Sequence, residues 1–68
     1  MKIILNGKEE TLLQPMTIRD LASVKGWHQD KIVVELNLEI IGKEAWADVA
    51  LQENDKMEVL SFVGGGNN

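Results

Sequence analysis

The chain has 68 residues, 44% of them hydrophobic and 26% charged, and it contains no cysteine. This composition is typical of one small globular domain, which buries only about 60% of its unfolded surface and has little room for a deep catalytic cleft. The lack of cysteine excludes disulfides, thiolate catalysis and cysteine-bound metal sites. The net charge of −4 disfavours nucleic acid and suits a partner protein with a basic docking face.

The N-terminal segment predicts a β-hairpin. Lys2 to Leu5 forms the first strand, and Asn6-Gly7 favours a tight turn because both residues tolerate positive φ. The returning strand is expected to run from Lys8 to Leu13, with Lys8, Glu10 or both on its solvent face.

One helix is expected from Thr17 to Lys25. Thr17 is a favourable N-cap, and Asp20 three residues later can complete a capping box. Gly26 suits the left-handed conformation that ends many helices. One stripe at helical spacing consists of Ile18, Leu21, Ala22 and Lys25.

The C-terminal half predicts more strands than helix. The β-branched run from Ile32 to Asn37 indicates a central strand, and Glu39 to Ile41 continues it after a turn. Lys43 to Asp48 is expected to form a short helical turn in which Trp46 fills one edge of the core. Met57 to Val63 is the last strand.

This order of elements predicts an α+β fold, with one main helix laid across a mixed sheet of four to five strands. The first and last strands are expected to lie side by side in the sheet. Residues 1–63 then form the domain and residues 64–68 a flexible tail, because consecutive glycines have no side chains to pack. The chain offers neither a secretory leader nor about 20 consecutive apolar residues, so a cytoplasmic protein without membrane contact is expected.

Four stretches of the sequence resemble the ThiS-type sulfur carriers, which are ubiquitin-like proteins of the β-grasp fold related to MoaD. The likeness covers nearly the whole chain. The stretches are Ile3-Ile4-Leu5-Asn6-Gly7, Val33-Val34-Glu35-Leu36-Asn37, Glu39-Ile40-Ile41-Gly42-Lys43-Glu44-Ala45-Trp46 and Asn54-Asp55-Lys56-Met57-Glu58-Val59-Leu60-Ser61-Phe62-Val63-Gly64-Gly65-Gly66.

The resemblance implies a carrier of sulfur for the thiazole ring of thiamin, and not an enzyme. Its working part is the tail Gly64-Gly65-Gly66, with Gly66, or alternatively Gly65, as the residue that is adenylated and then converted to a thiocarboxylate. The implied partners are an E1-like adenylyltransferase of the ThiF type, a persulfide sulfur donor and a thiazole synthase of the ThiG type. The carrier itself binds no cofactor or metal, and ATP with Mg²⁺ is used by the adenylyltransferase.

One feature departs from the family pattern, because Asn67-Asn68 follows Gly66. While Asn67 is attached, the Gly66 carbonyl belongs to an amide and cannot be adenylated. The two asparagines are therefore trimmed, or an artefact, or a sign that this copy carries no sulfur. Trimming back to Gly66 is favoured because the spacing from strand to glycines matches the family at that point.

Two other functions compete with the thiamin carrier. A MoaD-like carrier for molybdopterin or another metabolite would use the same glycine chemistry, but the stretch from Glu39 to Trp46 favours the thiamin type. A non-covalent β-grasp interaction module is favoured by the terminal asparagines. An enzyme has the least support, because the residues provide no nucleophile–base pair or metal cluster, and His28 is expected to be a surface loop residue.

Strand alternation divides the last strand into two faces. Met57, Val59 and Ser61 are expected to face the helix, and Glu58, Leu60 and Phe62 to face outward. Leu60 and Phe62 then either join the core through a bulge or form, with Val63, a partner-docking patch beside the tail, and the docking interpretation is favoured. An acidic rim around this patch is expected from Glu35, Glu39 and Glu58.

Overall fold

The computed structural model describes residues 1–62. Within them, five strands form one sheet, one α-helix packs against it, and two short 3₁₀ helices connect the strands. The elements are β1 (Lys2–Leu5), β2 (Lys8–Thr11), α1 (Ile18–Lys25), a 3₁₀ helix (Gln29–Lys31), β3 (Ile32–Leu36), β4 (Glu39–Ile41), a second 3₁₀ helix (Lys43–Asp48) and β5 (Lys56–Ser61).

The sheet is mixed, with the strand order β2-β1-β5-β3-β4. The pairing of β1 with β5 is parallel, and the other three pairings are antiparallel. The first and last strands therefore lie side by side as predicted, and β3 is an interior strand between β5 and β4. The α+β class and the sheet with one main helix are confirmed, with five strands within residues 1–62.

Both hairpins close through two-residue turns in which both residues have positive φ, which is the type I′ geometry. In the first turn, φ is 49° at Asn6 and 81° at Gly7. In the second turn, φ is 50° at Asn37 and 72° at Leu38. The first turn confirms the Asn-Gly prediction, whereas the second has a leucine where glycine is the usual residue.

The ends of α1 follow local chemistry that the sequence predicts. Thr17 is the N-cap: its hydroxyl accepts from the Asp20 amide at 3.1 Å, and the Asp20 carboxylate accepts from the Thr17 amide at 3.0 Å. Gly26 ends the helix with φ 72°, and the Trp27 amide donates to Ala22 O at 2.9 Å. The predicted capping box and C-terminal glycine are confirmed, and the helix begins one residue later than expected, at Ile18.

The core lies between the sheet and α1. Its buried residues include three from the predicted helix stripe, together with one large aromatic side chain. They are Ile3, Leu12, Ile18, Leu21, Ala22, Val34, Leu36, Trp46, Leu51 and Met57. Trp46, predicted to fill an edge of the core, is 1% exposed, and its Nε1 donates to Ile41 O at 3.0 Å.

Three predicted strand ends are wrong. The second strand stops at Thr11 and not at Leu13, because Leu12 turns into the core while Leu13 is 93% exposed. The middle strand stops at Leu36, because Asn37 already belongs to the turn. The last strand stops at Ser61, and Val63 lies outside the described residues.

The predicted solvent face of the second strand is wrong at Glu10, which is half-buried, whereas Lys8 is exposed to solvent as predicted. Glu10 pairs with Ile3, whose side chain is buried, so Glu10 lies on the side of the sheet that carries the helix. There its carboxylate accepts a hydrogen bond from Lys25 Nζ at 2.7 Å. Lys8 pairs with Leu5, a partly buried residue that packs against the core, and lies on the same side. The open side of β2 instead carries Glu9, whose carboxylate is 3.6 Å from Lys2 Nζ.

An ion pair joins the two 3₁₀ helices and gives the fold a weak acid dependence. The hydrogen bond from Lys43 lowers the pKa of the Asp30 carboxyl below its ordinary value. Because the pKa is lowered in the folded state, this stabilisation is present above about pH 4 and is lost as the pH falls through the folded-state pKa. We expect Lys43→Gln to raise the pKa of Asp30 in an NMR carboxyl titration, and Lys31→Gln to serve as the control. An unchanged Asp30 titration in Lys43→Gln would contradict this cause.

Candidate functional site

The described part of the chain ends beside the predicted tail, and hydrogen bonds hold this end in place. β5 pairs with β3 from Leu36–Met57 to Ile32–Ser61. One residue further on, the Phe62 amide donates to Lys31 O at 3.0 Å. The backbone is therefore fixed up to the residue before Val63. Val63 and the tail Gly64-Gly65-Gly66 lie outside the described residues, so their roles stay predictions.

The other side of β5 is held by a side chain. The parallel ladder of β1 and β5 contains only the pairs Ile4–Lys56 and Leu5–Met57. Beyond it, Asn6 Oδ1 accepts a hydrogen bond from the Val59 amide at 2.7 Å. Asn6 thus both forms the first turn and supports the strand that leads to the tail. The sequence predicted the turn but missed the contact, because a separation of 53 residues leaves no local signal.

The outward side of β5 is apolar and exposed. Met57 is buried and Val59 packs against the core, so these two residues face the helix as predicted. Leu60 is 63% exposed and Phe62 is 50% exposed. Their exposure agrees with strand alternation and rules out the interpretation that places them in the core, whereas their role in docking stays a prediction.

Two carboxylates lie next to these apolar residues. In the register of β3 and β5, Glu35 is directly opposite Glu58, and Val33 is opposite Leu60. Directly opposite residues share a face of the sheet. The open face therefore combines Leu60 and Val33 with the cross-strand pair Glu35–Glu58.

The predicted acidic rim is wrong at Glu39. This residue pairs with Leu36, which is buried in the core, so it lies on the side of the sheet that carries the helix. The physical reason is the two-residue turn at Asn37-Leu38. In one continuous strand Glu35 and Glu39 would share a face, but the turn reverses the chain and moves Glu39 to the opposite face.

Residues 1–62 contain neither a metal-holding cluster nor a membrane-spanning helix. No group of three or more histidine, aspartate or glutamate side chains in this range is placed to hold a metal ion. Its one α-helix is too short to cross a membrane. His28 is exposed, and its Nδ1 accepts from the Asp30 amide at 3.3 Å, which caps the first 3₁₀ helix. The arrangement offers an apolar, acidic surface next to the predicted tail.

Comparison with known protein families finds a match that covers almost the whole chain. The sequence model of the ThiS family matches residues 3–66, from the first strand to the last glycine. The chain belongs to the ThiS family. The sulfur carrier protein ThiS of Bacillus subtilis is 41% identical over 63 residues, which cover 91% of this chain and 96% of that protein.

Solved structures agree with this membership. The crystal structure of the thiamine biosynthesis protein ThiS from Geobacter metallireducens superimposes with a TM-score of 0.83. It is 32% identical and covers 97% of this chain and all of its own. The β-grasp fold implied by the resemblance to ThiS-type carriers is thus confirmed.

Other relatives contain a ThiS-like segment within a longer protein. The thiazole synthase of Paramagnetospirillum magneticum is 40% identical over 67 residues, which are 98% of this chain but 21% of that protein. The thiazole synthase of Magnetococcus marinus is 36% identical over 66 residues, or 20% of its length. This ThiS-family chain therefore spans about a fifth of the length of these two relatives.

Proposed function

We propose that this ThiS-family chain carries sulfur for thiamine biosynthesis as a thiocarboxylate on Gly66. The observation that carries the proposal is the family match, which runs through the whole fold and ends at Gly66. The order of elements supports it, because β5 is the last described strand before the glycines in the sequence, and the exposed apolar residues Leu60 and Phe62 lie at its end. The B. subtilis relative is named a sulfur carrier, and the G. metallireducens relative a thiamine biosynthesis protein.

The chemistry follows from the weakness of a carboxylate as an acylating agent. At neutral pH the terminal carboxyl is ionised and must be activated. An E1-like adenylyltransferase of the ThiF type uses ATP and Mg²⁺ to attach AMP to the Gly66 carboxyl and release pyrophosphate. The terminal sulfur of a persulfide then attacks the acyl carbon, AMP leaves, and a thiol reduces the resulting acyl disulfide to the thiocarboxylate. The carrier binds no cofactor of its own in this scheme.

Glycine is suited to the reacting end of such a carrier. Without Cβ atoms, Gly64, Gly65 and Gly66 can enter a narrow channel and approach nucleotide phosphates closely. The folded domain then provides recognition and the tail provides reach, while the partners provide catalysis. The cytoplasm is the proposed compartment, as expected for a cysteine-free chain whose partners use ATP.

A thiazole synthase of the ThiG type is the proposed acceptor of the sulfur. Two thiazole synthases contain a segment similar to nearly all of this chain. Physical linkage of carrier and synthase keeps the two at high effective concentration, which suits a pair that must meet repeatedly. This linkage in the relatives supports the choice of acceptor.

The test compares chains that end at Gly65, Gly66 and Asn68. Each is incubated with the cognate adenylyltransferase, ATP, Mg²⁺ and a persulfide donor, and its intact mass is measured. We expect replacement of one oxygen by one sulfur only in the chain that ends at Gly66. Gain on the Gly65 chain alone would move the reacting residue to Gly65. No gain on any chain, with a partner shown to be active, would leave the non-covalent interaction module.

Phe62→Ala should separate docking from stability. Because Phe62 is half exposed on the open face, its truncation is expected to change the melting temperature by less than about 4 °C. We expect the affinity for the adenylyltransferase to fall by about tenfold, measured by calorimetry. Leu13→Ala is the matched control, because Leu13 is 93% exposed but lies outside the open face. A large fall in melting temperature with unchanged affinity would contradict the docking role and show that Phe62 stabilises the fold.

A further inference from the structure

The turn that joins β3 and β4 contains a leucine that is both strained and exposed. Leu38 has φ 72°, and it is 91% exposed. The hairpin of β1 and β2 provides an internal comparison, because its turn has nearly the same dihedral angle at the preceding asparagine, 49° at Asn6 against 50° at Asn37. At the second position that turn has Gly7, with φ 81°. The two turns therefore differ mainly in having leucine or glycine at the left-handed position.

Leucine is unfavourable at this position for two separate reasons. In the left-handed region, its Cβ approaches the following carbonyl oxygen, a clash that glycine avoids. Its side chain also remains in water, so no burial compensates the backbone strain. Strain without local compensation occurs mainly at sites that contact ligands or partners. Leu38 is thus a candidate contact residue that the free domain does not need.

A second unfavourable feature lies beside it. Glu35 is opposite Glu58 on one side and opposite Ile40 on the other. Carboxylates directly opposite each other repel. The three ion pairs within residues 1–62 include neither Glu35 nor Glu58. Ile40 is 70% exposed, so apolar surface borders the carboxylates.

One kind of partner surface would compensate both the exposure of Leu38 and the repulsion between Glu35 and Glu58. An apolar pocket would bury Leu38 and Ile40, and an arginine or lysine between Glu35 and Glu58 would remove their repulsion and form charge-assisted hydrogen bonds. The net charge of −4 favours encounter with such a basic surface.

We propose that the hairpin surface, defined as Leu38, Ile40, Glu35 and Glu58, docks onto a basic and apolar face of the thiazole synthase. The proposal rests on the proposed function, and the occupant is chosen because two thiazole synthases contain a segment similar to almost the entire chain. The surface is also continuous with the predicted docking patch, since Leu60 follows Glu58 on the open face of β5.

The position of the hairpin surface explains why the synthase would contact the carrier both at this surface and at the tail. The pairing of Leu36 with Met57 places the hairpin tip near the start of β5, whereas the tail follows the end of β5. At about 3.3 Å per residue, the two ends of this strand are on the order of 17 Å apart. A synthase that contacts both ends holds the domain in one orientation while the tail enters its active site. The tail alone would leave the domain free to rotate.

Leu38→Gly provides the main test, because stability and affinity should change in opposite directions. We expect the melting temperature of the free chain to rise by about 4 °C or more as the strain is removed. We expect the affinity for the cognate thiazole synthase, measured by calorimetry, to fall by about tenfold. A higher melting temperature with unchanged affinity overturns the docking role, and a lower melting temperature overturns the strain argument.

The carboxylates are tested by Glu35→Gln combined with Glu58→Gln. The affinity of the unmodified chain for the synthase should fall as salt is added, and the double variant should bind more weakly and lose most of this salt dependence. Leu13→Ala is the control and should bind normally. A loss confined to the adenylyltransferase overturns the assignment to the synthase. Sulfur loading of the unmodified Gly66-ended chain is measured separately, so its failure removes the proposed chemistry without deciding the binding result.

Discussion

Trp46→Ala is expected to lower the free energy of unfolding by about 3–5 kcal/mol. Trp46 has the largest side chain in the core, it is 1% exposed, and its Nε1 donates to Ile41 O at 3.0 Å. Alanine would leave a cavity and remove the partner of that carbonyl. A folded domain of 68 residues is stable by only about 3–10 kcal/mol. The substitution should therefore unfold much of the population or bring it close to unfolding.

The measurement is urea unfolding followed by far-UV circular dichroism, a signal that does not depend on the removed indole. With a slope of about 1 kcal/mol per molar urea for a small domain, the midpoint should fall by about 3 M or more. Trp46→Phe keeps most of the apolar burial and should cost less. Trp27→Ala is the second comparison, because Trp27 is only partly buried against the same core. Equal midpoints for Trp46→Ala and Trp27→Ala would show that Trp46 has no special place in the core.

The parts of the fold that the sequence predicted well depend on neighbouring residues. The capping box needs only Thr17 and Asp20, which are three positions apart, and both of its hydrogen bonds form. Gly26 and Asn6-Gly7 specify their own backbone conformations. Such signals are complete within a few residues, because the interacting groups are brought together by the local conformation itself.

Hydrogen bonds between residues that are far apart in the sequence could not be predicted from local sequence patterns. Asn37 Nδ2 donates to Asp55 Oδ1 at 3.0 Å, and Asn37 Oδ1 accepts from the Lys56 amide at 3.0 Å. The other Asp55 oxygen accepts from the Gln52 amide at 2.7 Å. These bonds connect the second hairpin turn to the start of β5 and satisfy the buried Asp55 carboxylate. The sequence predicted the turn between the two strands at Asn37, but the contact of this turn with Asp55 and Lys56 follows from the sheet order.

At the candidate site too, a local pattern predicted some features correctly and missed others. Alternation along one strand correctly predicted the exposure of Leu60 and Phe62. It failed for Glu39, because a two-residue turn between strands changes the face on which later residues lie. The strain at Leu38 was also missed, since a leucine in a polar turn region gives no indication of positive φ in the sequence.

Gly65→Val is expected to reduce sulfur loading of the Gly66-ended chain by more than about 100-fold, because reacting atoms displaced by about 1 Å already cost that much. Valine branches at Cβ, so it restricts the backbone and adds bulk next to the acyl carbon. The domain should remain folded, with a melting temperature within about 4 °C of the unmodified chain, because the described core and sheet are formed by residues 1–62, which the substitution leaves unchanged.

The series Gly65→Ala, Gly65→Ser and Gly65→Val distinguishes steric exclusion from loss of docking. Under steric exclusion, loading falls progressively with side-chain size, while the affinity of the folded domain for the adenylyltransferase changes little. Phe62→Ala should show the reverse pattern, with weakened affinity and a normal rate of loading at saturating partner. If Gly65→Val loads sulfur at the normal rate, the tail does not enter a confined site, and steric exclusion does not explain the requirement for glycine in this chain.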